Sequence, residues 1–115
     1  MKYAILVYET AQDFATRDSD EVKAAYDAYS KALMEAGVIA GGAELCPANT
    51  GTTLFIKGGQ RKVQDGPYAD TKEQLGGLFI VDVPDVETAL DWAARCPAAS
   101  KCGVEVRPLV SMGEG

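Results

Sequence analysis

The sequence predicts an α+β fold in which two strand–helix–strand units flank a hairpin. Three observations predict it. Residues 2–8 and 77–83 are short runs in which both alternating sets of positions are apolar, as in strands covered on two faces. Residues 18–36 and 85–96 carry apolar side chains at helical spacing between start and stop signals. Between these units, residues 52–57 and 60–64 read as strands joined by the tight turn Gly58-Gly59.

The first strand, residues 2–8, is β-branched and aromatic, with Tyr3, Ile5 and Val7 on one face and Ala4, Leu6 and Tyr8 on the other. A polar loop follows. Asp18, with Glu21 three residues on, has the form of a capping box for the first helix. Val22, Ala25, Tyr26, Tyr29, Leu33 and Ala36 make its apolar stripe, and Gly37 is placed to end it in the left-handed conformation. Residues 38–45 make the next strand, in which Gly41-Gly42 marks a bulge or the close approach of another backbone. After the hairpin, Asp65-Gly66-Pro67 breaks the ladder, and residues 77–83 return to the centre of the sheet. Asp85 is the N-cap of a short second helix with Val86, Ala89, Leu90 and Ala93 as its buried stripe, ending before Pro97. Trp92 lies off that stripe as a partly exposed packing residue. Residues 104–109 close the sheet, and residues 111–115 form a frayed tail.

This order is that of a ferredoxin-like pair of split βαβ units with an extra hairpin, both helices on one face of an antiparallel sheet. The two best strands are apolar on both faces, so the helix-free face also needs cover. A second copy of the chain supplies it with closed two-fold symmetry, and the sequence predicts a homodimer.

Composition bounds the rest. A chain of 115 residues, 47% hydrophobic and 24% charged, is expected to form one domain spanning residues 1–115. The net charge of −6 has the wrong sign for attraction to nucleic acid or an anionic membrane. No apolar run approaches the roughly 20 residues that span a bilayer, and the start of the chain does not read as a secretory signal, so the expected location is cytoplasmic. Histidine is absent, and Cys46, Cys96 and Cys102 include no Cys-x-x-Cys pair, which leaves no basis for a zinc site. Cys96 and Cys102 read either as a redox pair or as reduced small hydrophobes. No cofactor is predicted.

The dense polar stretch is Asp65-Gly66-Pro67-Tyr68-Ala69-Asp70-Thr71-Lys72-Glu73, followed by Gln74-Leu75-Gly76-Gly77 and an apolar strand. It resembles the signature of the DGPF branch of the YCII-related family. The likeness extends to residues 3–8, to Gly37, to Gly42-Ala43-Glu44-Leu45 and to Val104-Glu105-Val106-Arg107-Pro108, and so covers nearly the whole chain. The resemblance implies a ferredoxin-like domain that dimerises through its sheets into an α+β barrel, with a cleft in each protomer near the signature loop. It also implies a link to alternative sigma factors, beside which some relatives are encoded. The enzymatic role inferred for shorter relatives rests on a His/Asp pair, which this histidine-free chain cannot form. Tyr68 stands where the signature usually has Phe, and Asp70 where it usually has Glu.

Within that loop Asp65 is the candidate catalytic residue, a general acid or base if burial raises its pKa. It reads equally as an acceptor of backbone N–H groups in an Asx-type turn. Lys72 can neutralise an anion and Tyr68 can cover a ring, while residues 70–73 read alternatively as a solvated helical turn. Arg107 can hold a carboxylate through two hydrogen bonds or pair with Glu105 at the surface. Gly76-Gly77 either admits a ligand or forms a bulge. A metal-dependent reaction has the least support: its ligands would have to be carboxylates alone, such as Asp65, Asp70 and Glu73, which suit magnesium or calcium better than zinc.

Three functions compete. One is a site for a compact, partly apolar metabolite held against Tyr3, Tyr8, Tyr68 and Phe79 with Asp65 as polar contact; it requires a concave pocket beside Asp65. Another is an accessory or regulatory domain presenting an exposed apolar patch to a protein partner. The third is a purely structural dimer with Asp65 locked to backbone.

Overall fold

A computed structural model describes residues 1–111; of the expected tail, residues 112–115 lie outside the described residues. Six strands and three α-helices run in the order β1 (Lys2–Glu9), α1 (Ala11–Thr16), α2 (Asp20–Glu35), β2 (Ile39–Glu44), β3 (Thr52–Lys57), β4 (Gln60–Asp65), β5 (Gln74–Asp82), α3 (Val86–Ala94) and β6 (Val104–Pro108). Short 3-10 turns occupy Ala48–Thr50 and Pro97–Ser100. The main sheet is antiparallel in the order β2-β5-β1-β6, the arrangement of the expected split βαβ pair. Strands β3 and β4 form a separate two-stranded ribbon.

Helices α2 and α3 cover one face. Tyr3, Ile5 and Val7 of β1 and Val81 of β5 meet Tyr29 and Leu33 of α2 and Ala89 and Ala93 of α3 in the core. Ile5, Leu33 and Val81 are fully buried, and burial of a side chain of this kind stabilises by about 1.5–3 kcal/mol. On the opposite face Ala4 and Leu6 stand beside Ile80 and Leu78, their direct partners across the β1–β5 ladder, all half-buried.

Several local expectations need correction. The polar loop after β1 contains α1, because Thr10 and Asp13 form a capping box there: the Thr10 hydroxyl accepts from the Asp13 N–H at 3.2 Å, and the Asp13 carboxylate accepts from the Thr10 N–H at 3.0 Å. The N-cap of α2 is Ser19 rather than Asp18, since the Ser19 hydroxyl accepts from the Val22 N–H at 3.2 Å. In α3, Val86 and Leu90 are each 45% exposed. The small side chains of Ala89 and Ala93 let the helix approach the sheet closely, and Trp92 packs at its border with the Arg95 guanidinium 4.6 Å over the ring. Residues 70–73 form no helical turn; the Gln74 side-chain amide donates to Ala69 O at 2.6 Å and Thr71 O at 3.0 Å, drawing the segment into a compact loop.

Other expectations hold. Gly37, at φ 70°, closes α2 by donating to Met34 O at 3.0 Å while Val38 donates to Leu33 O at 3.2 Å. The Asp85 carboxylate caps α3 by accepting from the Thr88 N–H at 2.8 Å. β2 is irregular between Ile39 and Gly41, where its register against β5 shifts.

Candidate functional site

A bulge begins the site. Val7 pairs with Gly77 and Tyr8 with Leu75, so Gly76 is the additional residue on β5. The carboxylate of Glu9, at the end of β1, lies over Gly76 in space that any Cβ there would enter. The capping box orients α1 so that its C-cap, Arg17, returns to that carboxylate. Arg17 Nη2 donates to Glu9 Oε1 and Oε2 at 3.3 and 3.4 Å, and Nη1 donates to the Leu45 carbonyl at 2.6 Å and lies 3.3 Å from a Glu44 carboxylate oxygen. Phe14 lies under the guanidinium, 4.4 Å from ring centroid to Cζ. The side chains of Glu9 and Arg17 are each only 14% exposed, and Arg17 Nε is buried without a hydrogen-bond partner among the described residues.

Beside this clamp a cavity of about 360 Å³ opens on the helical face. Gly42 and Phe79 are partners across the β2–β5 ladder, as are Glu44 and Gly77. With no side chain rising from Gly77, a hollow forms over Phe79 and Val7. Both glycines are sterically required, because a Cβ on Gly42 would lie 2.9 Å from Leu78 O and one on Gly77 2.9 Å from Ala43 O. Helix α2 walls the hollow with Val22, Lys23, Tyr26 and Ser30, and Pro97, Ala98 and Lys101 close another side. Carboxylates of Glu9, Asp13, Asp18, Asp27 and Glu44 outnumber the cations Arg17, Lys23 and Lys101 around it.

Burial, reinforced by the neighbouring Cys96, pushes the Tyr26 phenol well above its ordinary pKa, so it stays protonated as a hydrogen-bond donor. Burial also raises the Cys96 thiol. The Asp13 carboxyl is lowered by the Thr10 backbone N–H and then by the Cys102 thiol, which donates to it at 3.1 Å. That same carboxylate raises the Cys102 pKa. Cys46, Cys96 and Cys102 are all free, with Cys96 buried and the other two exposed.

Of the residues singled out in the sequence, Phe79 and Tyr8 border the cavity, Phe79 with its ring on the helical face and Tyr8 with its side chain turned to the opposite face, where Glu105 pairs with Leu6. The Tyr8 hydroxyl donates to Glu105 Oε1 at 3.3 Å. Arg107 is exposed and pairs with Glu105 at 2.6 Å, which is the surface-pair alternative; that pairing holds the Glu105 carboxyl below its ordinary pKa. Tyr3 is a core residue. Asp65, Tyr68 and Lys72 are exposed and do not line the cavity. Asp65 ends β4 opposite Thr52 on the ribbon, which carries it away from β1, and the Tyr68 ring packs tilted by 46° against Phe55 with centroids 5.8 Å apart. Among the described residues, Asp65, Asp70 and Glu73 form no group placed to hold a metal ion. Glu9, Arg17 and Tyr26 were not candidates from sequence; the Thr10-x-x-Asp13 pattern after a strand was the available signal for a helix that could return Arg17 to Glu9.

An antiparallel split βαβ sheet with a hollow on its helical face and a buried ion pair at the hollow's edge defines a small α+β protein with room for a compact ligand. The model of the YCII-related domain matches residues 1–113. The chain belongs to the YCII-related family. It is similar to an uncharacterised protein of Rhizobium meliloti (strain 1021), with 37% identity over 114 residues that cover 95% of this chain and 92% of that protein. Among solved structures it is similar to 5-chloro-2-hydroxyhydroquinone dehydrochlorinase from Burkholderia phenoliruptrix, determined in complex with 2,5-dihydroxybenzoquinone. The TM-score is 0.58 at 18% identity, covering 96% of this chain and 94% of that one, and it shows a shared fold. No helix among the described residues is long and apolar enough to cross a membrane.

Proposed function

We propose that this chain is a homodimeric small-molecule-binding protein or enzyme whose site is the cavity over Phe79, with Glu9 as its principal polar contact. The observation that carries this reading is the Glu9–Arg17 pair, largely removed from water at the edge of a concave apolar hollow. A cavity of about 360 Å³ lies at the lower end of the range of about 300–1,000 Å³ that ligand pockets occupy, which favours a compact metabolite. Phe79 and Tyr26 offer aromatic surface to a ring. The Glu9 carboxylate, fixed by Arg17, accepts a hydrogen bond from a ring hydroxyl, and the protonated Tyr26 is a donor at the same cavity. The hydroxylated ring bound by the structurally similar dehydrochlorinase fits that chemistry. The polar contact moves from Asp65 to Glu9 because Asp65 is exposed on the ribbon and Glu9 is not.

The test is a thermal-shift screen of hydroquinones, catechols, hydroxylated quinones and small aromatic acids on the wild type and on Glu9→Gln. A ligand at one hundred times its Kd adds about 2.7 kcal/mol of stability, an easily measured shift. The expected result is stabilisation of the wild type that Glu9→Gln loses. Equal stabilisation of both proteins, or none across the panel, overturns the assignment.

A further inference from the structure

The β3–β4 ribbon stands apart from the body. It shares no strand pairing with the main sheet and packs sparsely on the other elements. Its base is tied by two hydrogen bonds, from the Gly66 N–H to Gly51 O and from the Thr53 hydroxyl to Gly66 O, both 2.8 Å. Leu54 and Val63 face each other across the ladder, Ile56 follows on the same face, and the three are 51%, 62% and 63% exposed respectively. An isolated two-stranded hairpin is marginal in water, and one that leaves its aliphatic face open has little to hold it. The whole chain is extended to match, with a radius of gyration of 16.1 Å and extents of 48 × 42 × 18 Å, where a compact chain of this length has about 13 Å.

We propose that the ribbon is a clasping arm whose Leu54–Ile56–Val63 face packs against a second copy of the chain. This inference rests on the homodimer reading above and assigns a part of that dimer to one element. Charge complementarity favours a second copy as the occupant. Lys57, Arg61 and Lys62 lie around the ribbon's tip, with Asp65 as its one acidic residue, while the chain as a whole carries −6. A basic arm therefore meets an acidic body when one copy embraces another. Two-fold symmetry makes the contact twice, and together with the half-buried Ala4, Leu6, Leu78 and Ile80 face it supplies apolar surface toward the roughly 800 Å² per partner of a stable interface. Asp65, opposite Thr52, lies at the base of the same ribbon face, so its carboxylate comes to the rim of that contact.

The experiment compares the purified wild type with Leu54→Asp/Val63→Asp and with Arg61→Glu/Lys62→Glu by light scattering after size exclusion and by far-UV circular dichroism. The expected result is a wild-type dimer, with each variant more than about tenfold weaker in dimerisation and its helical signal retained. A wild type that is monomeric at micromolar concentration overturns both the arm and the homodimer. A wild-type dimer that both variants leave intact overturns the arm alone. If the aspartate variant unfolds, hydrogen exchange of the wild-type ribbon decides: protection of residues 53–56 and 62–64 that is lost on dilution supports the arm, and protection independent of concentration overturns it.

Discussion

Gly76→Ala tests the geometry of the clamp. The new Cβ would lie 2.7 Å from Glu9 Cδ and 3.1 Å from Cγ, so the carboxylate must swing away from Arg17. Gly76 is not among the residues at positive φ, so its backbone accepts alanine without strain. Hydrogen bonds to charged groups contribute about 1.5–3 kcal/mol at good geometry. The two Arg17–Glu9 bonds, at 3.3 and 3.4 Å, are longer than the preferred length, so their combined loss is worth about 2 kcal/mol. Against this, Gly→Ala stabilises by about 0.4–1 kcal/mol through the unfolded chain. The net cost is about 1 kcal/mol, a fall in Tm of roughly 4 °C at this chain length. In a Glu9→Ala background the obstructing atoms are gone, and the same substitution should become neutral or stabilising. Urea unfolding of the four proteins of this double-mutant cycle gives the coupling directly. Equal destabilisation by Gly76→Ala in both backgrounds would refute the clamp, because the glycine would then serve the bulge and not Glu9.

Asp13→Asn should speed alkylation of Cys102 severalfold at mildly alkaline pH, since the Asp13 carboxylate that holds the thiol proton is what raises its pKa; Cys96, buried, should stay unreactive until the protein unfolds, and an unchanged Cys102 rate would refute the contact. For the α3 cap, the Thr88 hydroxyl and N–H hold the Asp85 carboxyl below its ordinary 3.8. A lowered carboxyl pKa stabilises above the unfolded value and ceases to as pH falls through the folded one. Asp85→Ala should therefore unfold at lower urea than the wild type near neutrality, and the two curves should converge well below pH 3.8. A gap that persists in acid would show that the carboxylate's charge is not what caps the helix.

The scaffold was legible because its signals are local. Doubly apolar strands at residues 2–8 and 77–83, a helical stripe ending at Gly37 and the Asp85 cap each declare an element within a few residues, and α+β order follows from their sequence. The errors arose where two local signals competed. Asp18 with Glu21 imitated a capping box, but Ser19, one residue later, has the hydroxyl that reaches Val22. Val86 and Leu90 satisfied helical periodicity, yet α3 turns its alanines inward because only small side chains allow so close an approach to β1 and β6. The hairpin was read correctly as a hairpin. Its separation from the main sheet was not legible, because alternation in a short strand says which residues share a face and not what that face meets.

The site was less legible for a different reason: its parts come from contacts that no local pattern encodes. Asp65 drew attention as a carboxylate fixed by Gly-Pro, whereas the enclosed pair is Glu9, at the end of a strand, with Arg17, in an apparently featureless loop. What joins them is a chain of small requirements. Thr10 and Asp13 must cap α1, α1 must be short enough to end at Arg17, and Gly76 must lack a Cβ for the carboxylate to lie over β5. Gly77, which read from sequence as admitting a ligand or forming a bulge, clears the floor beside it. A glycine that costs a strand stability is expected where a backbone or ligand must come close, and here Gly76 and Gly77 border one hollow. If the clamp existed only to hold α1 on the sheet, Glu9→Gln would alter stability and leave ligand binding unchanged; if it also serves the hollow, the same substitution loses the ligand as well.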